Sequence, residues 1–326
     1  MPSSLSEVAR LAGVSLGTAS SVLTSRTGFR VSSETAARIR RAADQLDYRP
    51  NRLAQALATG KTRLIALIDY DFGASFSAQM GRQFHRALSA DSYDLVIFGQ
   101  ATPPDAVAGI VDGAICCSRE VPAGLDDVLP VVQISPKPDT RQDALRLELK
   151  LATSVAMDVF DRVGCGTVAF LGPASGLESS DGRFLAYRQF VESSGRSEIL
   201  IETASDQQDE GYEALAKYAG AYGWPQGIFC RNDELALGVY RAVREAGRRV
   251  GRDVAVIGCD DIGGEFFDPP LTSMAVPFKE ISRIAWNLLR ERIESPDLPG
   301  RLVAITPQLV ERESSRLTSK ENCQKP

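Results

Sequence analysis

Residues 5–23 read Leu-Ser-Glu-Val-Ala-Arg-Leu-Ala-Gly-Val-Ser-Leu-Gly-Thr-Ala-Ser-Ser-Val-Leu. Leu5, Val8, Ala9 and Ala12 recur at helical spacing and predict a short amphipathic helix. Gly13 follows where a helix ends in the left-handed conformation. Ser15 is placed to cap a second helix. That helix turns Ala19, Val22 and Leu23 inward and leaves Leu16, Gly17, Ser20 and Ser21 outside. Two short helices joined by a tight turn, the second presenting small and polar residues, are the form of a helix-turn-helix that reads DNA. A generic helical hairpin would satisfy the same apolar spacing, so the rest of the chain has to decide.

Charge decides in favour of DNA. The 326 residues carry a net charge of –5, unsuited to a polyanion. The deficit is not evenly spread. Residues 1–61 hold nine Lys and Arg against four Asp and Glu, a balance of +5, and the remainder holds 28 against 38. The basic piece suits phosphate contact. The acidic piece is expected to face away from the duplex. The asymmetry argues for one small DNA module attached to a larger body with a different task.

Residues 33–46 predict a third helix, capped by Ser32 or Ser33, with Ala36, Ile39, Ala43 and Leu46 as its apolar stripe. Tyr48-Arg49-Pro50-Asn51-Arg52-Leu53-Ala54-Gln55-Ala56-Leu57-Ala58-Thr59-Gly60-Lys61 follows. Pro50 breaks the preceding helix, Asn51 can cap a new one, and Gly60 can end it. A helix of under ten residues is marginal alone, so its formation can be conditional. The segment would also serve as a plain linker, with Leu53 and Leu57 packed on the body.

From Arg63 onward apolar runs alternate with helical stretches. The runs are 64–68, 95–98, 113–116, 131–134, 168–171, 227–230 and 254–257, and Phe76, Met80, Phe84 and Leu88 mark a helix between the first two. Continuous apolar strands alternating with helices predict parallel sheets covered on both faces, an α/β fold. No apolar run is long enough to span a membrane, and Met1-Pro2-Ser3-Ser4 leads directly into the helical pattern without a signal peptide. A cytoplasmic protein is expected. Cys116, Cys117, Cys165, Cys230, Cys259 and Cys323 form no Cys-x-x-Cys pair and read as reduced core residues, with no zinc site and no cofactor.

Val14-Ser15-x-x-Thr18-x-Ser20, followed by Tyr48-x-Pro50-Asn51-x-x-Ala54-x-x-Leu57, resembles the lac repressor family of bacterial regulators. The body is similar to that family's two-lobed, periplasmic-binding-protein-like core. Its markers are Arg183-x-x-Ala186-Tyr187, Asn232-Asp233-Glu234-Leu235-Ala236-Leu237-Gly238, Val256-Ile257-Gly258-Cys259-Asp260-Asp261 and Pro269-Pro270-Leu271-Thr272-Ser273. The resemblance implies a headpiece over 1–49, a hinge helix over 50–61, a core over 62–313 and a polar tail over 314–326. Within the core the first lobe would take 62–147 and 276–306, the second 148–275 and 307–313, with crossings near 147, 276 and 306. It further implies a homodimer on a pseudo-palindromic operator. DNA contacts would come from Ser15, Leu16, Gly17, Thr18, Ser20, Ser21, Arg30, Asn51, Leu53, Ala54 and Leu57. Leu57 would wedge into the minor groove, its unstacking cost offset by added contact. Ser21 stands where many members carry arginine, so the half-site is expected to differ from the commonest one. The loop 24–30 is longer than in the archetype, and Arg26 and Arg30 are candidates for phosphate or base contact.

The same resemblance places a small-molecule effector between the lobes, lined by Tyr70, Phe76, Ser135, Arg183, Asn232, Asp260 and Phe278. Arg183, Asn232 and Asp260 offer directed hydrogen bonds, while Phe76 and Phe278 offer an apolar face. Asp260 would equally serve as a structural turn carboxylate. The chain departs from the family pattern at Ser135 for aspartate, Glu148-Leu149 for Asp-Asn, Asp206 for a tryptophan found in some sugar binders, and Arg231 for a small residue. A sugar or sugar derivative is the first expectation, with a nucleobase or an acidic metabolite as alternatives. The first lobe, including the Phe76–Leu88 helix, is expected to carry much of the dimer contact. The tail has no leucine heptad to build a tetramer. The rival class is a binding protein or enzyme of the same fold with a vestigial headpiece. An enzyme finds little support: His85 is the only histidine, and Gly172-Pro173-Ala174-Ser175-Gly176 lacks the Lys-Ser/Thr of a phosphate loop.

Overall fold

A computed structural model describes residues 4–23, 31–49, 56, 60–69, 74–99, 101–118, 120–173 and 181–317. The chain divides into two compact units, Met1–Arg63 and Leu64–Pro326.

The first unit contains α1 (Leu5–Ala12), α2 (Leu16–Leu23) and α3 (Ser33–Gln45). Ser4 and Glu7 form a reciprocal capping box at the start of α1, and Gly13 ends that helix at φ +63°. Ser15 Oγ accepts from Thr18 N at 3.1 Å, and Ser32 Oγ accepts from Thr35 N at 3.2 Å, so each expected serine cap is made. The shared core is Val8, Ala9, Ala12, Ala19, Val22, Ile39, Ala42 and Ala43. Alanine at five of these eight positions lets three short helices approach closely. Arg38 Nε donates to Ala12 O at 2.8 Å, which satisfies a carbonyl left over at the end of α1.

The second unit begins with β1 (Leu64–Asp69), α4 (Ser75–Ser89), β2 (Asp94–Gly99), α5 (Pro104–Ala108), β3 (Gly113–Cys117), α6 (Leu125–Val128), β4 (Val131–Ser135) and β5 (Asp143–Leu147). It continues with α7 (Leu149–Arg162), β6 (Val168–Pro173), α8 (Gly182–Ser194), β7 (Ile199–Thr203), α9 (Gln208–Tyr222), β8 (Gly227–Cys230), α10 (Asp233–Glu245), β9 (Ala255–Asp260) and β10 (Thr272–Ala275). It closes with α11 (Phe278–Glu294), β11 (Leu302–Ile305) and β12 (Gln308–Val310). The strands form two six-stranded sheets, ordered β11-β5-β4-β3-β1-β2 and β12-β10-β9-β8-β6-β7. All neighbours are parallel except β10 and β12. Each sheet carries an apolar cluster on both faces, as parallel sheets require.

The path between sheets defines two lobes. The chain leaves the first sheet after Leu147, returns after Ala275 through α11, and leaves again between Ile305 and Gln308. α11 packs on α4 and on β3, β4 and β5. The stripe Met80, Phe84 and Leu88 of α4 is fully buried in that core, so the apolar face of this helix is spent inside its own lobe. Only the opposite face, which includes exposed His85, is open to another subunit.

The structure corrects two expectations from the sequence. β2 is an edge strand with Ile97 52% exposed, because its position at the end of the sheet leaves one face thinly covered. Ser314 and Ser315 do not open a polar tail: both are buried, and Ser314 Oγ donates to Val256 O at 2.6 Å while accepting from Thr272 N at 2.7 Å. The five cysteines among the described residues are buried and none of them is in a disulfide; Cys323 lies outside them. Among the described residues no helix is long and apolar enough to cross a membrane.

Candidate DNA-reading helix and effector cleft

The start of α2 presents Leu16, 51% exposed, beside exposed Ser15 and Gly17, with Thr18, Ser20 and Ser21 half-buried. The Ser15 and Thr18 hydroxyls lie 2.8 Å apart, so part of their hydrogen-bonding capacity is spent on the cap. Arg26, Arg30, Asn51, Leu53, Ala54 and Leu57 lie outside the described residues.

Between the lobes lies a cleft of about 480 Å³ at the carboxyl ends of the strands. The structure brings Phe76, Ser135, Arg183, Asn232 and Asp260 together on its walls. Tyr70 lies outside the described residues. Phe278 is buried behind Phe76 rather than on the cleft, with the ring centroids 5.2 Å apart, edge to face. It lines a second, more open groove of about 570 Å³ on the side of the Val276 crossing. Asp260 and Val276 line both spaces.

The second-lobe wall is an ionic network. Asp181, not singled out by sequence, caps α8 by accepting from Arg183 N at 2.9 Å. Its side chain is 2% exposed and bridges Arg183 Nη2 at 3.0 Å and Arg231 Nε at 2.9 Å. Burial would raise the Asp181 carboxyl, but the two guanidiniums outweigh it and hold the group well below the usual carboxylate range. Arg183 Nη1 donates to Arg231 O at 2.9 Å, and Arg231 Nη1 pairs with Asp206. Asn232 caps α10 through Oδ1, which accepts from Leu235 N at 2.9 Å, and its Nδ2 donates to Asp206 O at 3.0 Å. Ser135 Oγ accepts from Lys137 N at 3.2 Å. The departures noted in the sequence, Arg231 and Asp206, are thus partners. A sequence signal for Asp181 existed: an Asp immediately before a helix that begins Gly-Arg is a cap.

Asp260 ends β9 at φ +106° and Asp261 follows at +56°, conformations that side-chain-bearing residues rarely adopt. Such strain concentrates at ligand clamps. Burial, opposed by Arg183 and Arg231, pushes the Asp260 carboxyl up to about 7. Next to it Asp233 accepts from Ser273 Oγ and Ile262 N, both at 2.7 Å. A Cβ at residue 258 would fall on Asp233 Oδ1, so glycine is required there. Three of the sequence markers, around Asp233, Gly258 and Ser273, therefore interlock to set the angle at which Asp260 enters the cleft. His85 is remote from it on α4, and among the described residues no cluster is suited to a metal ion.

A three-helix reader and a two-lobed body with a polar cleft define the class: a DNA-binding regulator with a ligand-sensing domain. Residues 4–51 match the bacterial regulatory proteins of the lacI family, and residues 157–315 match the periplasmic binding protein-like domain. The chain is 29% identical over 336 residues to the ribose operon repressor of Escherichia coli (strain K12), covering 95% of this chain and 99% of that one. It shares the fold of the lac repressor dimer bound to operator and the anti-inducer ONPF, with a TM-score of 0.78 at 22% identity over 97% of this chain and 100% of that one. It also shares the fold of a LacI family transcriptional regulator from Enterococcus faecium with bound ribose, with a TM-score of 0.70 at 23% identity over 78% and 98%. The chain thus combines a region that matches the lacI family of bacterial regulatory proteins with one that matches the periplasmic binding protein-like domain, the make-up of a transcriptional regulator with an effector domain. These relatives are regulators of transcription, not enzymes.

Proposed function

We propose that this regulator acts as a homodimeric repressor on a pseudo-palindromic operator, and that a small sugar or sugar derivative in the cleft controls its operator affinity. The observation that carries the reading is the cleft itself, where Phe76, Ser135, Arg183, Asn232 and Asp260 converge. Sugar as the ligand class is supported by the E. coli relative, a ribose operon repressor, and by the E. faecium neighbour with its bound ribose. Leu16, Gly17 and Ser21 of α2 read base edges, with Ser15, Thr18 and Ser20 beside them. Arg30, Asn51, Leu53 and Ala54 support the contact, and Leu57 wedges the minor groove. Sugar binding biases the lobe angle. It changes DNA affinity only to the extent that the two lobe arrangements bind the sugar unequally.

The test is selection of genomic DNA fragments on the full chain at near-physiological salt, repeated with a panel of neutral sugars. One palindromic site, with occupancy that changes on addition of a sugar, is the expected result. Leu57→Ala weakens operator binding and leaves sugar affinity unchanged. Failure to recover a preferred sequence under every condition sinks the regulator reading for this headpiece. Sedimentation of the free and DNA-bound protein reads the dimer.

A further inference from the structure

The first sheet is covered unevenly. α5 and α6 close one face over β1, β3 and β4, where Ala66, Ile68, Ala114, Cys116 and Val131 are buried. The register puts Ala144, Arg146 and Leu302 of β5 and β11 on that same face, and Leu302 is 55% exposed. There the loop 136–142 crosses the sheet, tied to Gln133 of β4. Between loop and strands lies a groove of about 340 Å³. Its charged lining is Lys137, Arg141, Arg146 and Arg301, with no Asp or Glu among the described residues. The body as a whole is the reverse, since residues 62–326 hold 38 acids against 28 bases. We propose that this groove is a second ligand site, divided from the effector cleft by the Pro136–Pro138 loop, and that it takes a small molecule carrying two or more phosphoryl groups. The proposal stands apart from the sugar reading and does not need it.

Two of the four cations are uncommitted. Arg301 is spent on Asp143 and Glu291, and Arg146 Nε donates to Glu148 Oε1 at 2.7 Å. Lys137 and Arg141 are exposed and form no ion pair among the described residues. An exposed cation on a mobile backbone is merely solvated, but the backbone here is fixed. Pro136 and Pro138 bracket Lys137 and restrict φ on either side of it. Buried Gln133 accepts through Oε1 from Asp139 N at 2.8 Å and from Thr140 N at 3.2 Å. Gln142 accepts from Val131 N at 2.7 Å and donates to Asp126 O at 2.6 Å. On the opposite wall a Cβ at residue 300 would stand 2.4 Å from Arg141 O, so glycine lets that segment lie against the loop. The rim is therefore preformed, which lowers the ordering cost of binding. The forked donors of Arg141 match phosphoryl oxygens, and Lys137 supplies a second positive charge to a second phosphoryl group. Ala144 and Leu302 leave an apolar floor for the rest of the ligand.

The experiment is calorimetry of the full chain, free of DNA and sugar, with inorganic phosphate and pyrophosphate at matched ionic strength. Pyrophosphate is expected to bind about tenfold or more tighter than phosphate, because two phosphoryl groups meet two cations. Arg141→Ala and Lys137→Ala are each expected to weaken pyrophosphate about fivefold or more. Both side chains are exposed, and thermal melting checks that the variants fold. Arg244→Ala, which removes an exposed arginine of α10 in the second lobe, is expected to leave pyrophosphate binding unchanged. The phosphoryl groups could also be those of a duplex, so the same variants are titrated with random-sequence duplex DNA over a range of salt. Unchanged DNA binding beside weakened pyrophosphate binding assigns the groove to a free ligand. A salt slope lowered by about one for each cation removed, with no pyrophosphate binding, gives the groove to the DNA backbone and overturns the small-ligand assignment. Pyrophosphate binding that survives both groove variants, or that falls equally with Arg244→Ala, overturns the site. So does the absence of any effect on either partner.

Discussion

Each lobe buries one aspartate between two arginines, and the two groups do different things. In the first lobe Asp143 accepts from Arg292 Nε and Arg301 Nε, both at 2.8 Å. Arg292 sends its other donors to the carbonyls of Pro296, Leu298 and Pro299. That group is closed: it ties the loop after α11 to the β5–β11 edge and lines neither the cleft nor the groove beside Val276. In the second lobe Asp181 holds Arg183 and Arg231 in the same manner, but both arginines line the cleft and the chain of partners runs on to Asp206, which lines it too. A buried ion pair is therefore not by itself the mark of a site. What separates the two groups is that only the second lines the cleft.

The contrast predicts different costs. Asp143→Ala leaves buried Arg292 without its counter-ion and is expected to destabilise the core by about 3–5 kcal/mol. Urea unfolding at neutral pH reads this, and sugar affinity of the folded fraction should not change. A cost below about 1 kcal/mol would mean that the closed group contributes little and that the comparison fails. Arg183→Gln has a smaller effect on stability, because Arg231 still pairs with Asp181 and water reaches the cleft. It is expected to weaken sugar binding by about 1.5–3 kcal/mol, the range for a hydrogen bond to a charged group, or roughly 10- to 150-fold. Calorimetry on both variants shows whether stability and binding separate as the two groups imply.

The aspartates of the second lobe also differ from one another in pH response. Asp181 is held below the usual range, so its contribution to stability is present at neutral pH and is lost only in acid. Asp260 is pushed up to about 7. Its folded form takes up a proton between the unfolded carboxylate value and that point, so this group favours folding more as pH falls from about 7 toward 4. Above pH 7 its charge opposes folding, because burial and Asp206 disfavour it and Arg183 and Arg231 only partly compensate. Asp260→Asn is expected to raise stability at pH 8 by about one to a few kcal/mol, since each tenfold change in proton affinity is worth about 1.4 kcal/mol, and to change little at pH 5. Denaturation of both proteins at the two pH values checks the sign. Equal changes at both would remove the titration from the account.

Much of this was legible because it is local. Gly13, Ser15 and Ser32 announce helix ends within three or four residues, and the apolar runs announce strands one by one. The positions of the chain crossings came with the family resemblance, as did Arg183, Asn232 and Asp260. What was not legible is what pairs at a distance. Asp181 and Arg231 are 50 residues apart, and Arg231 and Asp206 are 25 apart, so no periodicity links them. Arg231 and Asp206 each looked like a lone departure, when the physical unit is the pair plus the glycine at 172 that makes room for it. Phe278 was placed on the cleft by the family resemblance; the turn after Val276 puts it behind Phe76. Ser314 and Ser315 looked like the start of a tail because small polar residues are buried only where partners such as Val256 O and Thr272 wait for them.

The smallest effect tests what joins the two lobes, since neither ionic group spans them. α4 starts at Ser75 after Ala74, which supplies no side-chain cap, so the first N–H groups of that helix lack partners of their own. Ser75 N instead donates to Glu234 Oε1 of the other lobe at 2.8 Å, and Ile262 of the second lobe packs on the first-lobe core nearby. Glu234 thus caps a helix across the cleft, and the cap holds only while the lobes keep this angle. Glu234→Ala is expected to cost about 1 kcal/mol of preference for this arrangement, and hence to change sugar affinity by about fivefold. Global unfolding of either lobe should move less than that. The Asp143 and Arg183 variants act within one lobe, so the Glu234 effect should add to theirs without coupling. Strong coupling in a double-mutant cycle with Arg183→Gln would show that the second-lobe ionic wall, and not the cap alone, senses the lobe angle.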